Sequence, residues 1–286
     1  TLNTNKKTAA FFVNQNIEWH QQKSNKHTFS FIADYSYNQN DPTNYWQTTN
    51  QILQGLIPID TAQNVIRLHQ NRKIEQHNFN AIFKHFWVFN SNNHIYTTVG
   101  NNVSNERFSS IDTQELDDGT STNFSSNGYG NALHFKLNDF YTGIHYKFRT
   151  GIFTIKQGIE IHKYDWNVDQ QTNFSKSKWV VLPDFLAKIA FNKSKNIQVR
   201  YHLKTNFSDA SKLASQYYLQ SYNTVFKGNE NLENELYHNA NIYYSRFSLY
   251  RGIILYATVN YTKKVNGFTN VVVLDQNNPD PTQRTN

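Results

Sequence analysis

Residues 197–207 read Ile-Gln-Val-Arg-Tyr-His-Leu-Lys-Thr-Asn-Phe, and apolar and polar side chains alternate along this stretch. One face collects the apolar side chains of Ile197, Val199, Tyr201, Leu203 and Phe207. The other face collects Gln198, Arg200, His202, Lys204 and Asn206. Successive side chains of a β-strand point to opposite sides, so this stretch is predicted to be a strand with one apolar and one polar face.

Three further segments repeat this alternation, and little helical periodicity competes with it along the chain. Their apolar positions are Phe11, Val13, Ile17 and Trp19; Phe153, Ile155, Ile159 and Ile161; and Ile253, Leu255, Ala257, Val259 and Tyr261. The polar residues between them would lie on the opposite face of each strand. We therefore predict an all-β, antiparallel chain.

The composition is more typical of a strand-rich chain than of a soluble domain with a highly charged surface. Aromatic residues make up 15% of the 286 residues and charged residues only 17%, and aromatic side chains favour half-buried pleated surfaces. The formal net charge is +7, but the basic residues are scattered, so we expect no nucleic-acid partner. The chain has no Cys, which excludes disulfides and thiolate metal sites. It also has no run of 18 apolar residues, the length that a membrane-spanning helix needs.

The predicted connections between strands alternate between short and long. Short turns rich in Asn, Ser, Gly or Lys are predicted at 22–26, 91–93, 149–151, 193–196 and 249–252. Long polar loops are predicted at 41–72, 104–130, 167–177, 209–234 and 264–286. This rhythm is typical of outer-membrane barrels, which have short periplasmic turns and long extracellular loops. We predict that residues 1–286 form a single region, an antiparallel transmembrane β-barrel segment of about ten strands in long hairpins.

In one long segment the apolar positions change phase. Leu133 and Phe135 are odd-numbered, whereas Phe140 and Ile144 are even-numbered. One extra residue in a strand shifts the alternation by one position. We therefore predict a β-bulge near Asn138.

Aromatic residues on the predicted strands suggest two interfacial girdles, because Trp and Tyr are enriched where a membrane meets water. The candidates are Trp19, Tyr35, Tyr37, Trp87, Tyr146, Tyr201 and Tyr261. The same composition also fits the core of a soluble, carbohydrate-binding β-sandwich, which stays open as an alternative.

Histidines on the predicted strands raise the question of a metal site. These are His134, His145, His162 and His202. They lie on different segments without a compact ligand spacing, so we interpret them as polar side chains of a barrel interior.

An acidic stretch raises the same question for Ca²⁺. Asp117-Asp118-Gly119 lies close to Asp112 and Glu115, but the order differs from an EF-hand loop, so a solvated turn is the preferred interpretation. Nucleophile-elbow, metalloprotease and phosphate-loop motifs do not occur in the sequence. We predict that the chain is not an enzyme and has no catalytic residue, no cofactor and no metal.

Residues 179–245 resemble the barrel of TonB-dependent outer-membrane receptors, especially the outer-membrane β-barrel group with long extracellular loops. The matching order is a Leu182-Pro183 strand start, the turn 193–196, the strand 197–201, a long loop, and the run Gly228-Asn229-Glu230-Asn231-Leu232-Glu233-Asn234-Glu235. In the family this run usually reads Gly-Asn-Pro-x-Leu-x-Pro-Glu. Gly228, Asn229, Leu232 and Glu235 match that pattern, and Glu230 and Asn234 replace its two prolines.

The resemblance implies a location in the bacterial outer membrane and uptake of a ligand with energy supplied through TonB. Its implied partners are outer-membrane lipid, a plug domain and TonB through the parent protein, and a small ligand such as a siderophore, glycan or peptide. Family transporters have about 22 strands, and the sequence shows no plug motif, so we expect the chain to be part of a larger barrel. A structural or adhesive barrel without transport, or a passive pore, is the alternative.

A basic ladder is the candidate ligand-lining wall. Arg200, His202 and Lys204 share the polar face of one predicted strand, at about 6.6 to 6.8 Å per two residues. The ladder leads towards Tyr217, Tyr218 and Tyr222 in the next loop, where aromatic rings offer stacking surface. We hypothesise that an anionic or sugar-containing ligand passes this wall. The alternative is that the ladder pairs with carboxylates of the lumen or the plug.

Overall fold

The computed structural model describes residues 2–50, 55–248, 250, 252–269 and 284–285. Ten long antiparallel strands form one sheet, with edges at β1 and β13. They are β1 (Leu2–Gln22), β2 (His27–Thr48), β3 (Ile66–Val88), β4 (Asn93–Glu115), β6 (Asn131–Thr150), β7 (Phe153–Asp169), β8 (Phe174–Asn192), β9 (Lys195–Asn206), β12 (Glu235–Ser248) and β13 (Ile253–Val265). The predicted all-β, antiparallel architecture of about ten strands is confirmed.

Four short strands complete the described fold. β5 (Ser121–Asn123) pairs with the end of β4, while β10 (Tyr218–Ser221), β11 (Thr224–Phe226) and β14 (Arg284–Thr285) form a small separate sheet. Two 3₁₀ helices, Ser125–Asn127 and Ala210–Leu213, lie in the connections. In the part of the chain that the structure describes, no helix is long and apolar enough to cross a membrane.

The connections at one end of the sheet, which we call the turn end, have two to four residues, whereas those at the opposite loop end range from four residues at 170–173 to 28 at 207–234. Residues 23–26, 89–92, 151–152 and 193–194 form the described turns, so these predictions are confirmed. The turn at 151–152 uses Gly151 at φ +50°, a conformation that glycine adopts without the cost of a Cβ. The fifth predicted turn includes Leu249 and Arg251, which lie outside the described residues.

The predicted loops were too long, because the strands continue well beyond the alternating segments. The connections are 49–65 instead of 41–72, 116–130 instead of 104–130, and 170–173 instead of 167–177. Only 207–234 is close to its prediction, and most of 264–286 lies outside the described residues. Near the loop end most outer-face side chains are polar, so alternation of apolar and polar residues does not mark these parts as strands.

The register sorts the side chains of the sheet into two faces. We call the face that carries Phe135, Tyr141 and His162 the inner face, because segment 207–234 packs against it. The four alternating segments keep the faces predicted for them: Arg200 and His202 lie on the inner face and Tyr201 on the outer face. Phe207 is an exception. It follows the end of β9 and packs on the inner-face rings of Tyr164 and Trp166, with centroids 5.0 and 5.3 Å away.

The outer face carries an exposed apolar band in the half of the sheet nearer the turn end. Its large side chains include Phe11, Ile17, Phe83, Val99, Phe140, Ile144, Ile159, Val181, Leu255 and Val259. All seven predicted girdle residues, including Trp19, Trp87 and Tyr201, also lie on the outer face. An exposed apolar face of this extent suits a lipid environment.

The predicted β-bulge near Asn138 is wrong. Asn138 pairs with Val103 on one side and with Asp165 on the other, and the register is continuous through it on both sides. In the described main sheet the register shifts only between Ala190 and Asn192. The apolar phase changes because the neighbouring environment changes: apolar side chains point inward near the loop end and outward near the turn end.

Two inner clusters hold the connections on the barrel wall. The first combines strand residues such as Phe108, Phe135 and Trp166 with Ala210, Leu213, Ala214, Tyr218 and Phe226 from segment 207–234. The second combines Trp46, Ile57, Ile66, Leu68, Phe124, Tyr129, Leu219 and Val225. The loop end is therefore filled by folded connections, while the inner wall below them is polar.

Candidate luminal binding site

Four inner-face positions stand side by side on β6 to β9. His145 pairs with Gly158, Gly158 with Asp184, and Asp184 with His202. Because Gly158 has no side chain, His145 and Asp184 meet above it, with Nε2 and Oδ1 2.6 Å apart. A Cβ at Gly158 would lie 1.9 Å from the imidazole Cδ2 of His145. Glycine is therefore required for this pair to form.

A second polar cluster surrounds His162 on the inner face of β7. Its Nδ1 lies 2.7 Å from Asp139 Oδ1, and its Nε2 lies 3.7 Å from Glu160 Oε2. The ring of Tyr141 stacks on the imidazole with a centroid distance of 4.6 Å. Tyr141 itself lies across Gly100, where a Cβ would come within 2.3 Å of the phenol ring. Inner-face glycines again allow large polar side chains to lie flat on the wall.

The two clusters line a cavity of about 590 Å³, which we call the basic cavity. Its cations are Lys84, Lys156, Arg200 and Lys204. Lys156 Nζ lies 3.6 Å from Asp184 Oδ2. Within the described residues, the other three cations have no ion pair or hydrogen bond, and the three carboxylates of the cavity already contact histidines or Lys156. This wall therefore presents uncompensated positive charge.

Basic-ladder residues and loop tyrosines occupy different places. Arg200, His202 and Lys204 line the basic cavity, as the shared strand face predicts. Tyr218 is buried in the first inner cluster, its ring 5.2 Å from that of Phe108. This burial leaves no ring face of Tyr218 available to a ligand.

The other two loop tyrosines pack against the second inner cluster. Tyr217 also lies next to Tyr129, with ring centroids 5.6 Å apart, and beneath the ammonium group of Lys227. Tyr217 and Tyr222 thus help to hold the connection on the wall. Their role in ligand binding stays a prediction.

The loop run that resembles the family motif fixes the return into β12. Gly228 N donates to Ala214 O at 2.9 Å and Asn229 N donates to Lys212 O at 2.8 Å. A Cβ at Gly228 would lie only 2.2 Å from the carbonyl oxygen of Lys212. Only glycine allows this close backbone approach, and Leu232 packs on the first inner cluster.

Glu235 ends this run as the first residue of β12 and is buried. Burial opposes its ionisation, but hydrogen bonds from Lys264, the Tyr237 hydroxyl and the Phe268 amide lower the pKa of Glu235 to about 2. Its carboxylate therefore stays charged and joins the start of β12 to the end of β13.

Segment 207–234 is also anchored through two buried carboxylates of β4. Glu106 accepts a hydrogen bond from Ala210 N at 3.0 Å, and burial raises the pKa of Glu106. Asp112 accepts from Gln70 Nε2 at 2.8 Å and from Leu219 N at 3.3 Å. Burial raises the pKa of Asp112 to about 7.

The carboxylates of the acidic stretch have partners within the chain. Asp112 is buried, Asp117 pairs with Arg67 at 2.7 Å, and Asp118 accepts from Thr120. Across the residues that the structure describes, no group of three or more potential ligands is arranged to hold a metal ion.

The interpretation of the strand histidines as interior residues is correct for His145, His162 and His202. It is wrong for His134, which lies on the outer face between Asn105 and Asp169. Near the loop end the apolar residues of β6 lie on the inner face, so the polar residues between them, including His134, lie on the outer face.

Sequence reasoning missed five charged residues of the basic cavity. These are Lys84, Asp139, Lys156, Glu160 and Asp184. Glycines at inner-face positions, Gly100, Gly143 and Gly158, were the available signal, because isolated glycines in strands mark close approach by other groups.

Comparison of the sequence with family models and with curated proteins found no match. Among solved structures, the chain is similar to the ferric citrate transporter FecA, with 11% identity and a TM-score of 0.60 over 97% of this chain and 37% of that one. Matches to the copper transporter OprC and to the ferric yersiniabactin receptor FyuA from Yersinia pestis have 6% and 10% identity and TM-scores of 0.48 and 0.45. They cover 89% and 90% of this chain and 45% of each of those chains.

The chain thus spans less than half the length of these structures, and identities this low establish the fold alone. The long strands, the outward apolar band and the polar inner wall fit the same architecture. By its structure, this chain has the fold of a segment of the β-barrel of TonB-dependent outer-membrane receptors.

Proposed function

We propose that this chain forms part of the wall of an outer-membrane receptor that binds an anionic ligand in its lumen and imports it with energy from TonB. The observation that carries the proposal is the uncompensated charge of Lys84, Arg200 and Lys204 around the basic cavity. Arg200 and Lys204 are exposed on the inner face and Lys84 is half-buried, so their charges are accessible to an anion. The plug domain and TonB enter through the parent protein.

The membrane setting is supported by the outer face. Its large apolar side chains are exposed, and the candidate girdle residues lie on the same face, which suits the bilayer-facing surface of a barrel. The folded connections of the loop end would face the outside of the cell, and the short turns would face the periplasm. A ligand would then meet the loop end before it reaches the basic cavity.

Binding of a small trivalent anion tests the ligand proposal. In the full-length protein in detergent, the double variant Arg200→Gln/Lys204→Gln should bind citrate at least about 100-fold more weakly, since each of the two charge-assisted hydrogen bonds contributes about 1.5–3 kcal/mol. Isothermal titration calorimetry measures the change. The matched control, Lys136→Gln/Lys163→Gln, removes two cations from the outer face and should leave citrate binding unchanged. Equal affinities of the wild type and the inner-wall variant would refute the proposal.

Uptake of radiolabelled citrate by cells separates active import from a passive pore. Import should stop when TonB is deleted and should fall in the inner-wall double variant. Uptake that continues without TonB would support the passive pore instead.

A further inference from the structure

A second luminal cavity, of about 750 Å³, adjoins the basic cavity on the inner wall of β1 to β6. We call it the amide cavity because its inner-face lining is rich in side-chain amides: Asn14, Gln76, Asn78, Asn80 and Asn102. Ser36 and Ser104 add hydroxyl groups. None of the described residues that line it is Lys, Arg or His.

Hydrogen-bonding capacity remains available in the amide cavity. Asn80 Nδ2 donates to Asp34 Oδ2 at 3.2 Å, while its Oδ1 is buried without a partner. Each amide combines two donors with an acceptor in one plane. A sugar hydroxyl donates and accepts at the same atom, so a cluster of amides and hydroxyls suits a polyhydroxylated group. Buried polar atoms left without a partner are costly, which favours a polar occupant beside Asn80.

An aromatic ring stands at the edge of this amide cluster. Phe12 lies on the inner face of β1, in register with Asn38 and two residues from Asn14. Its side chain is 64% exposed, although the inner positions after it on β1 are polar. An exposed aromatic ring among hydrogen-bonding groups offers an apolar surface to the C–H face of a sugar ring.

Charge separates the roles of the two cavities. Asp34, Glu106 and Asp139 line the amide cavity, so it disfavours an anionic group. The basic cavity favours one. Asp139, Tyr164 and Thr205 line both cavities, so one ligand can extend from the first cavity into the second. Both volumes fall in the range of small-molecule sites.

We propose that the ligand is an oligosaccharide with one acidic end group. Its neutral sugar residues would occupy the amide cavity beside Asn80 and Phe12, and its acidic group would lie against Arg200 and Lys204. This inference rests on the proposed function, because it assigns a chemical class to the anion bound there.

Calorimetry on the full-length protein with matched probes tests the inference. The probes are sialyllactose and cellobiouronic acid, their neutral counterparts lactose and cellobiose, and citrate as an anion without a sugar. At least one acid-ended sugar should bind at least tenfold more tightly than both its neutral counterpart and citrate. If neither binds more tightly than citrate, the inference is overturned.

Binding measurements on variants then test which part of the ligand each cavity holds. Asn80→Leu and, separately, Phe12→Ala should weaken binding of the acid-ended sugar at least fivefold and leave citrate binding unchanged. Arg200→Gln/Lys204→Gln should reduce binding of the acid-ended sugar to the level of its neutral counterpart. Phe12 is exposed, so its truncation should not impair folding, and heat stability of each variant checks this point.

The outcomes distinguish the two proposals. If the Arg200 and Lys204 double variant loses citrate while both amide-cavity variants bind the acid-ended sugar normally, the anion receptor stands and the oligosaccharide inference fails. If that double variant binds every probe like the wild type, the proposed function itself fails. Equal weakening of citrate and sugar by Asn80→Leu would also overturn the assignment of the amide cavity.

Discussion

The two halves of β6 share one continuous register but place their apolar side chains on opposite faces. Near the loop end, Leu133 and Phe135 point inward and are 3% and 2% exposed. Near the turn end, Phe140 and Ile144 point outward and are 47% and 50% exposed. The backbone between them has no bulge.

The contrast shows that alternating apolar residues identify the face of a strand that meets an apolar environment. They do not show whether that face is the inner or the outer one. At the loop end the neighbour is segment 207–234, which buries inner-face side chains. At the turn end the apolar side chains are exposed on the outer face, where the proposed membrane setting supplies lipid as their neighbour, and the inner face is polar. Apolar side chains of β6 therefore leave water on the inner face near the loop end and on the outer face near the turn end.

The largest expected effect comes from opening the inner cluster at the loop end. Phe108→Ala removes a fully buried ring that packs on Tyr218 and should cost about 3–5 kcal/mol of stability. Segment 207–234 should also become sensitive to protease. Phe140→Ala is the matched control, because lipid can fill the space it leaves and no connection packs on it. Equal protease sensitivity of both variants would contradict the division into two halves.

A charge placed on each face of the turn-end half tests the lipid assignment. Val259 lies on the outer face of β13 and Thr258 on the inner face. Val259→Arg should cost about 2–4 kcal/mol at mid-depth in a bilayer, and Thr258→Arg should cost far less. Folding of the full-length variants into lipid vesicles measures both values. If the two substitutions cost the same, the outer face is not the lipid face.

A methyl group added to the polar inner wall should have an intermediate effect. Gly158→Ala places a Cβ against His145 and Asp184 and should cost about 1–3 kcal/mol through overpacking. Gln157→Ala, one position away on the outer face, serves as the control. Thermal unfolding in detergent compares them. An unchanged midpoint for Gly158→Ala would mean that the pair above the glycine is not held in place.

The smallest effect is a pH dependence of the loop-end half. The pKa of Asp112 is raised to about 7 by burial, against an ordinary value of 3.8, and nearby Arg72 opposes this shift only in part. The packed state therefore holds the proton more tightly than the released state. Packing of segment 207–234 should be strongest below pH 4 and should weaken as the pH rises from 4 to about 7.

Protease sensitivity of segment 207–234 between pH 4 and 8 measures this dependence. Asp112→Asn should flatten the profile, because an amide does not ionise in this range. Its single oxygen can accept only one of the two hydrogen bonds, so packing should be weaker at every pH but without the slope. Asp118→Asn, in an exposed turn at the same end, should leave the profile as in the wild type. A profile that keeps its slope in Asp112→Asn would assign the titration to another group.

Much of the candidate site could be predicted from the sequence. Whether two residues of one strand share a face depends only on their spacing along the chain. Alternation alone placed Arg200, His202 and Lys204 on one face, and the structure confirms that face as the inner one. The pairing of His145 with Asp184 was not accessible. It depends on Gly158 standing between them in the register, and residues distant in sequence set that register.

The sequence by itself determined the strands, their order in hairpins, the short turns and the two-faced character of each strand, because all of these follow from side chains a few residues apart. Tertiary structure decided which face of each strand is buried near the loop end and near the turn end. It also decided where segment 207–234 packs and which polar groups meet on the inner face. These features depend on the neighbours that register and chain folding supply. Thus Phe135 and Phe140 are equally apolar in the sequence, yet one is buried against a folded loop and the other is exposed on the outer face.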